Sequence, residues 1–443
     1  MAVQPGREKN SYEAAFRELL KQRPDEPTWL GRAREDAFAR FQRVGLPTVR
    51  EEEWKYTNVA PIVRANFHPA ITTSAMDLNG NASGLLIPEA QSSRLVFVNG
   101  IFQRQLSSSN LRDRVLISDI SEALRAPETE SLIREQFEAG EVENGFAALN
   151  AAMFSGGSFV LIPRGVEVAS PIHLLFISQA HNGDAPASFP RVLVVAEENS
   201  AARILESYAG IGTGAYFTNA VIDIVVRPGA RIEHYKVQRE NSSAFHIATT
   251  STNISRGARY DATSINLGAK LSRHDINVTF NEEGGECAVD GLYMIGAEQH
   301  SDTHSVIDHA SAHCTSRQLY KGVLDGKSHA VFNGKVFVRH GAQQTDAQQT
   351  NKNLLLSEEA RVDTKPQLEI FADDVKCTHG AAVGQLNDDE VFYLESRGIN
   401  PNLARNMLTY GFAEEVIEKI KIESIQRELN EVVLNQLHSG LQI

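Results

Sequence analysis

The segment DDVKCTHGAAVGQL, from Asp373 to Leu386, places Cys377 and His379 two residues apart, with glycines at 380 and 384. In an extended chain, side chains two apart share a face and stand about 6.5–7 Å from one another. Thiolate and imidazole both ligate soft or borderline metals, and iron-sulfur clusters accept either. One Cys and one His cannot hold a cluster that wants four ligands. A metal site here is therefore completed by another chain, or is transient. A nucleophile with its base would need the imidazole against the sulfur and a third, orienting group; nothing in the segment supplies one. A buried thiol beside a surface histidine accounts for the pair without any chemistry.

A denser polar cluster is HSDTHSVIDHASAHC, with His300, His304, His309, His313 and Cys314 in fifteen residues. On a strand, His300, Asp302 and His304 point to one face, and His309 and His313 to one face further on. Histidine-carboxylate sets of this kind bind zinc or iron. A polar sheet face, or a row of stacked histidines, explains the same pattern. No helical His-x-x-x-His with a catalytic Glu is present, and no cysteine pair completes a structural zinc site. The run of Gln, Thr and Asn late in Gln318–Ser357 suits amide ladders between stacked strands.

The elements that position these residues change along the chain. SYEAAFRELLKQR puts Tyr12, Phe16, Leu19 and Leu20 on one helical face, with Ser11 as its expected N-cap. EPTWLGRAREDAFARFQRVG continues through Trp29, Ala33, Ala37, Phe38 and Phe41, and Gly45 is placed to stop it. From about Arg94 to Gln385, short runs rich in Val, Ile, Phe and Thr recur between Gly, Pro, Asn and Asp, as many short strands do. Ala202-Arg203, Ala230-Arg231 and Ala258-Arg259 follow similar turns at steps of 28 residues. Looser echoes come at GGECAVDG, KSHAVFNG and Ala360-Arg361. Self-similarity at a fixed period in a strand-rich region argues for a β-solenoid, with a large β-sandwich as the alternative.

After Gln385 the helical period returns. DDEVFYLESRG is a short helix ended by Gly398; the next begins at Asn400-Pro401 and is expected to stop at Gly411. Beyond it, Phe412, Val416 and Ile420 form one apolar row and Ile425, Leu429, Val433 and Leu437 another. Glu414 and Glu415 sit where an N-terminal helix dipole would favour them. Such an arm caps the last coil, docks another protein, or does both. The expected division is an N-terminal helical region over 1–90, a solenoid core over 91–385 and a C-terminal helical region over 386–443.

Composition narrows the function. A net charge of −13 over 443 residues, with no long basic cluster, disfavours a nucleic-acid binder. The first residues carry no apolar run of the kind a secretory signal needs, and no window approaches a membrane helix. Cys287, Cys314 and Cys377 are sparse and unpaired in pattern, which fits reduced thiols in a cytoplasm. No phosphate-binding Gly-x-x-x-x-Gly-Lys-Ser/Thr loop, dinucleotide Gly-x-Gly-x-x-Gly or Gly-x-Ser-x-Gly elbow appears.

EEEWKYTN from Glu51, QLYKGVLDGKSHAVFNGKVFV, AQQTDAQQTNKNLLLSEEARVDTKPQLEIFADDVKCTHGAAVGQL and FYLESRGIN together resemble the SufB/SufD family, on its SufD side. The resemblance runs from about residue 50 to the C-terminus and is densest over 317–411. It implies a right-handed parallel β-helix between helical ends, and a non-catalytic scaffold for iron-sulfur cluster assembly and iron acquisition. It implies pairing with SufB through the β-helix, and docking of the ATPase SufC on the C-terminal helices, with Tyr393, Arg397, Pro401, Arg405 and Phe412 as contact residues. It assigns His379, and less firmly Cys377, to the SufB interface where a transient cluster is built, with reduced FAD as a further ligand of the assembled complex. SufB itself carries cysteines before the equivalent histidine and another after its FY. Here PQLEIFADD has none and Leu394 follows Tyr393, which favours SufD. The competing readings are a SufB-like paralogue that holds the cluster itself, and a stand-alone metal-dependent β-helix enzyme using His300–His313. Exposed interface strands leave a homodimer of the isolated chain open.

Overall fold

The computed structural model describes residues 7–70, 83–111, 114–139, 144–181 and 183–439. Its centre is a β-solenoid. From Gly157–Ile162 onward, successive long strands go alternately to two sheets, and each pairs in parallel with the strand of the coil before it. One sheet ends in Leu271–Phe280, His300–His309, His329–Val338 and Arg361–Ile370. The other ends in Glu286–Ile295, Thr315–Leu324, Asp346–Leu355 and Lys376–Gly384.

The sequence period is partly the coil period. Arg231 pairs with Arg259, so that step of 28 is a true coil. Arg203, however, pairs with Glu233, because the preceding coil is two residues longer, and Arg231 sits opposite Ala201. The Ala360-Arg361 echo belongs to the other sheet, where Arg361 pairs with His329. Sheet pairing tolerates such differences because the extra residues go into corners. Between the sheets, Ile204, Ile224, Val226, Ile254, Val278, Phe280 and Val289 interdigitate with almost no exposure.

One corner repeats in every coil. Asn199, Gly229, Gly257, Gly284, His313 and Gln344 all have φ between 57° and 74°, the left-handed region. Each donates its N–H to a carbonyl one coil on: Pro228, Arg256, Glu283, Ala312, Gln343 and Asp374. His313 is thus an exposed corner residue, off the strand that holds His309. Substituting His313→Val should cost about 1–2 kcal/mol, because a β-branched residue resists this conformation. His313→Gly should cost nothing. Urea midpoints of the two variants check this, and equal midpoints would remove the corner argument.

Helices flank the solenoid. Arg7–Lys21 buries Tyr12, Phe16 and Leu19; Ser11 lies inside this helix and does not cap it. Thr28–Val44 ends at Gly45, whose N–H reaches the Phe41 carbonyl at 2.7 Å. Its buried face keeps the expected Phe38 and Phe41 and adds Leu30 and Arg34, with Trp29 and Ala37 packed at its margin. Arg34 is tolerated there because Glu26 and the carbonyls of Ala152 and Phe154 take its donors. At the other end, Asp388–Ser396 stops before Gly398, and Asn400 caps Pro401–Ile417 through the Asn402 N–H. That helix continues through Gly411. Its Ala413, Val416 and Ile417 bury against Leu292, Met294 and Val323, which outweighs the roughly 1 kcal/mol cost of an interior glycine. Glu414 and Glu415 accordingly lie in its last turn, and Glu415 pairs with Lys321 instead of a helix N-terminus. The final helix, Glu423–Ser439, buries Ile425, Leu429, Val433 and Leu437. The arm lies along the flank of the second sheet, against Leu205, Tyr235 and Ile265, and leaves the last coil uncapped.

Candidate functional site

Cys377 and His379 lie on Lys376–Gly384, the terminal strand of the second sheet. Among the described residues it is hydrogen-bonded along one edge, to Asp346–Leu355. Among the same residues the companion terminal strand, Arg361–Ile370, pairs with His329–Val338 alone. Ile370, Phe371 and Val383 are exposed around this open end, and an unpaired edge is a template for another chain. Cys377 pairs with Ala347 and His379 with Gln349, both of which face the interior, so Cys377 and His379 stand on the inward face of the last coil. Cys377 packs against Val336, Val338 and Ala372. Burial pushes its thiol up from the ordinary range, so the weakly nucleophilic protonated form prevails at neutral pH. His379 is exposed. Among the described residues, no group of three or more His, Cys, Asp and Glu converges as a metal site.

Beneath His379 the interior changes from aliphatic to amide. Gln349 Nε2 donates to Gln318 Oε1 at 2.6 Å, and Gln318 Nε2 donates to Ser305 Oγ at 2.7 Å. Asn353 Nδ2 donates to Asn351 Oδ1 at 2.7 Å. The Gln349–Gln318 pair is a ladder of the expected kind between stacked coils; the other two bonds run across to the opposite sheet and along one strand. Tyrosines alternate with glycines in the same rows: Gly291 pairs with Tyr320, and Tyr293 with Gly322. A Cβ on either glycine would sit about 2 Å from the facing ring, at 2.2 Å for Gly291 and 2.1 Å for Gly322.

His300, Asp302 and His304 do share one face, the outer face of the first sheet, but they are tied to one another and to neighbouring side chains. Arg273 Nη1 donates to Asp302 Oδ2 at 2.7 Å. His304 Nε2 is 3.1 Å from Asp302 Oδ1, and its Nδ1 is 3.2 Å from Glu53. Thr57 Oγ1 donates to Asp302 and lies 2.8 Å from His300 Nε2. Trp54 lies over Arg273, with the guanidinium 3.7 Å from its ring, and Glu52 accepts from Lys365 at 2.9 Å. Glu51–Asn58 is therefore a strap across four coils. His309 turns inward to Ser316 Oγ at 2.9 Å, away from this group. The cluster is a fastening, and the metal-enzyme reading finds no ligand set in it.

A second buried network closes on itself between the sheets. His234 lies 2.8 Å from Glu206 and 2.9 Å from Tyr260; His246 lies 2.8 Å from Glu240 and 2.9 Å from Lys236. Burial lowers Lys236 to about 8. The adjoining voids, about 20 and 10 Å³, admit nothing larger than a water.

Of the residues expected to dock a partner, Tyr393 and Arg405 are exposed, Pro401 opens its helix, and Arg397 donates to the Tyr393 hydroxyl at 3.1 Å. Phe392, Leu403 and Met407 add to this apolar surface. Phe412 faces the other way, half-buried, with Lys321 Nζ over its ring at 4.5 Å. The expectations missed Glu53, Thr57, Arg273 and Gln349. The first three meet across more than 200 residues of chain, which leaves no local signal. Gln349 lay in the amide-rich run, read as structural.

Two family models cover this architecture. The SufBD core domain of the SUF system for FeS cluster assembly matches residues 176–412, and the SufBD protein N-terminal region matches 8–174. A SufBD family iron-sulfur cluster assembly protein of Synechocystis is 39% identical over 88% of this chain and 87% of its own length. The iron-sulfur cluster assembly protein SufD of Escherichia coli is 32% identical over 90% of this chain and 91% of its own. The SufD of Bacillus subtilis is 28% identical over 96% and 98%. An open last coil that presents too few ligands, on a solenoid flanked by helices, is carried by a chain that belongs to the SufBD family of iron-sulfur cluster assembly proteins.

Proposed function

We propose that this chain is the SufD-type scaffold subunit of a SufB–SufC–SufD complex, non-catalytic, and contributing to cluster assembly and iron acquisition. The observation that carries the reading is the open last coil. It offers His379 in the exposed position, Cys377 beside it, and two unpaired strand edges ringed by Ile370, Phe371 and Val383. One exposed imidazole cannot hold a cluster, so the nascent cluster, the cargo of the complex, takes its other ligands from SufB docked on these edges. In the isolated chain the same edges are free to pair with a second copy. SufC, where ATP is hydrolysed, docks on the C-terminal region over 386–443, at Tyr393, Arg397, Pro401 and Arg405. Phe412 supports that surface from beneath. The strapped region over 1–90 and the solenoid over 91–385 hold the two contacts apart, in the cytoplasm.

A groove of about 490 Å³ is lined by Arg203, Arg231, Arg259 and Lys421 among others. All four are engaged, with Glu167, Glu233, Asp261 or backbone carbonyls. In this reading reduced FAD is a ligand of the assembled complex.

The test is copurification from cells expressing all three subunits, with iron and sulfide measured in the product. The chain should emerge with SufB and SufC. His379→Ala should leave that assembly intact and lower iron and sulfide at least about tenfold, a loss of the order of one ligand interaction of 1.4 kcal/mol or more. Emergence alone would refute the scaffold reading; undiminished iron and sulfide would remove His379 from it.

A further inference from the structure

We propose that Gln349 is a positioning residue for His379: its side-chain carbonyl fixes the imidazole tautomer, so that the nitrogen facing the open end carries the lone pair. This deepens the reading of His379 as a cluster-assembly residue, and rests on it for its functional half.

The amide ladder has a direction. Ser305 Oγ accepts from Gln318, and Gln318 Oε1 accepts from Gln349. Gln318 sends its N–H across to the opposite sheet, whereas Gln349 spends its N–H on the coil before it and leaves its oxygen for the coil after it. Gln349 is the last amide of the row, 1% exposed, and its Oε1 has no hydrogen-bond partner. The residue in register with it on the next strand is His379. In-register neighbours on one face have Cβ atoms about 5 Å apart, within reach of a ring nitrogen. Gln349 is also held in place from the opposite sheet. Gly334 has no Cβ, and one built there would lie 2.4 Å from Gln349 Nε2, so the glycine is the space in which the amide sits.

An unmet buried acceptor is costly, and a pure acceptor selects a donor. The ring nitrogen that turns inward must therefore carry the proton. The other is then unprotonated and points away from the ladder, into the open end. A neutral imidazole with an outward lone pair is the form that ligates a metal, and metal-binding histidines have their tautomer set by such a second contact. Docking a partner over the open end removes the water that otherwise satisfies His379, and so strengthens the preference.

The experiment is long-range proton–nitrogen NMR of the full chain labelled with 15N-histidine, with His379 assigned by its loss in His379→Ala. The wild type should show one protonated and one unprotonated ring nitrogen with well-separated shifts. In Gln349→Leu the two shifts should converge as tautomers mix. In Gln349→Glu, which keeps the shape and an inward acceptor, the two shifts should stay well separated. Unchanged His379 shifts in Gln349→Leu would overturn the contact, with hydrogen exchange of Asp346–Leu355 verifying that the strand is formed in each variant. In the copurified complex, Gln349→Leu should lower iron and sulfide in the same direction as His379→Ala. If His379→Ala lowers them and Gln349→Leu does not, the positioning role is overturned. If His379→Ala itself has no effect, the functional reading falls while the NMR result still decides the contact.

Discussion

Substituting Asp302→Ala loosens the strap by about 3 kcal/mol, at the low end of what removing one partner of a buried ion pair costs. Both Asp302 and Arg273 are 2% exposed, so the guanidinium cannot turn to water for compensation. It keeps Asp275 at 2.7 Å and the Glu53 carbonyl at 2.7 Å, which is why the loss stays at the low end. Thr57 and His304 lose an acceptor in the same step. Repeat-like folds open locally, and a single unfolding energy describes them poorly. The suitable readout is amide hydrogen exchange over residues 48–60. A change of about 3 kcal/mol corresponds to roughly 100-fold faster exchange there, with the distant final helix unaffected. Exchange within a factor of three of wild type would mean that the ionic contacts are decoration on an apolar anchor made by Trp54.

The same strap should weaken as pH rises through the alkaline range. His304 is raised to about 9: burial opposes its charge, but Asp302, and then Glu53, outweigh burial. Arg273 works against the charge as well, and His300 contributes none, because burial holds it neutral at about 4. A histidine raised above its unfolded value of about 6.5 stabilises the folded state fully below that pH. The contribution declines between 6.5 and 9 and is gone above 9. Its size is on the order of 3 kcal/mol. Asp302 behaves oppositely at the other end of the scale. Arg273 and His304 overcome the burial that would raise it and hold it well below the usual carboxylate range, so its share survives mild acid. Exchange over 48–60, corrected for its intrinsic pH dependence, should therefore accelerate between pH 6.5 and 9. His304→Gln should abolish the slope, and Asp302→Ala should flatten it by releasing His304 to a lower pKa. A wild-type profile that is flat across this window would contradict the pairing.

Much of the architecture was readable because it is local. Strand runs announce themselves through Val, Ile and Thr, and inward positions two apart show which side is buried. The corner at Gly229, Gly257 and Gly284 marks the coil by a conformation few other residues accept. The amide ladders followed from stacking like residues. What could not be read was set by distance or by packing. The helix passes Gly411 because Leu292, Met294 and Val323, over a hundred residues earlier or nearly so, hold its second half. Ala202-Arg203 looked like one repeat unit with Ala230-Arg231, yet a coil of different length moves it two places in register. His300, Asp302 and His304 shared a face as expected, while His309 turned inward and His313 fell in a corner; the shared face was already covered, by Glu53 and Thr57 from the other end of the chain. For Cys377 and His379, composition gave the shortage of ligands; only the register shows Gln349 beneath.

The strap has a mechanical consequence. Stacked coils shear and twist most easily between neighbours, each joined to the next by one ladder of hydrogen bonds. Glu52, Glu53, Trp54 and Thr57 grip strands Leu271–Phe280, His300–His309, His329–Val338 and Arg361–Ile370 from a single short piece of backbone. That face of the rod is braced against torsion over four coils. Strand Lys376–Gly384, on the other sheet, is held along one edge alone. A torque delivered through the C-terminal helices would find its compliant point there, at the strand that carries His379.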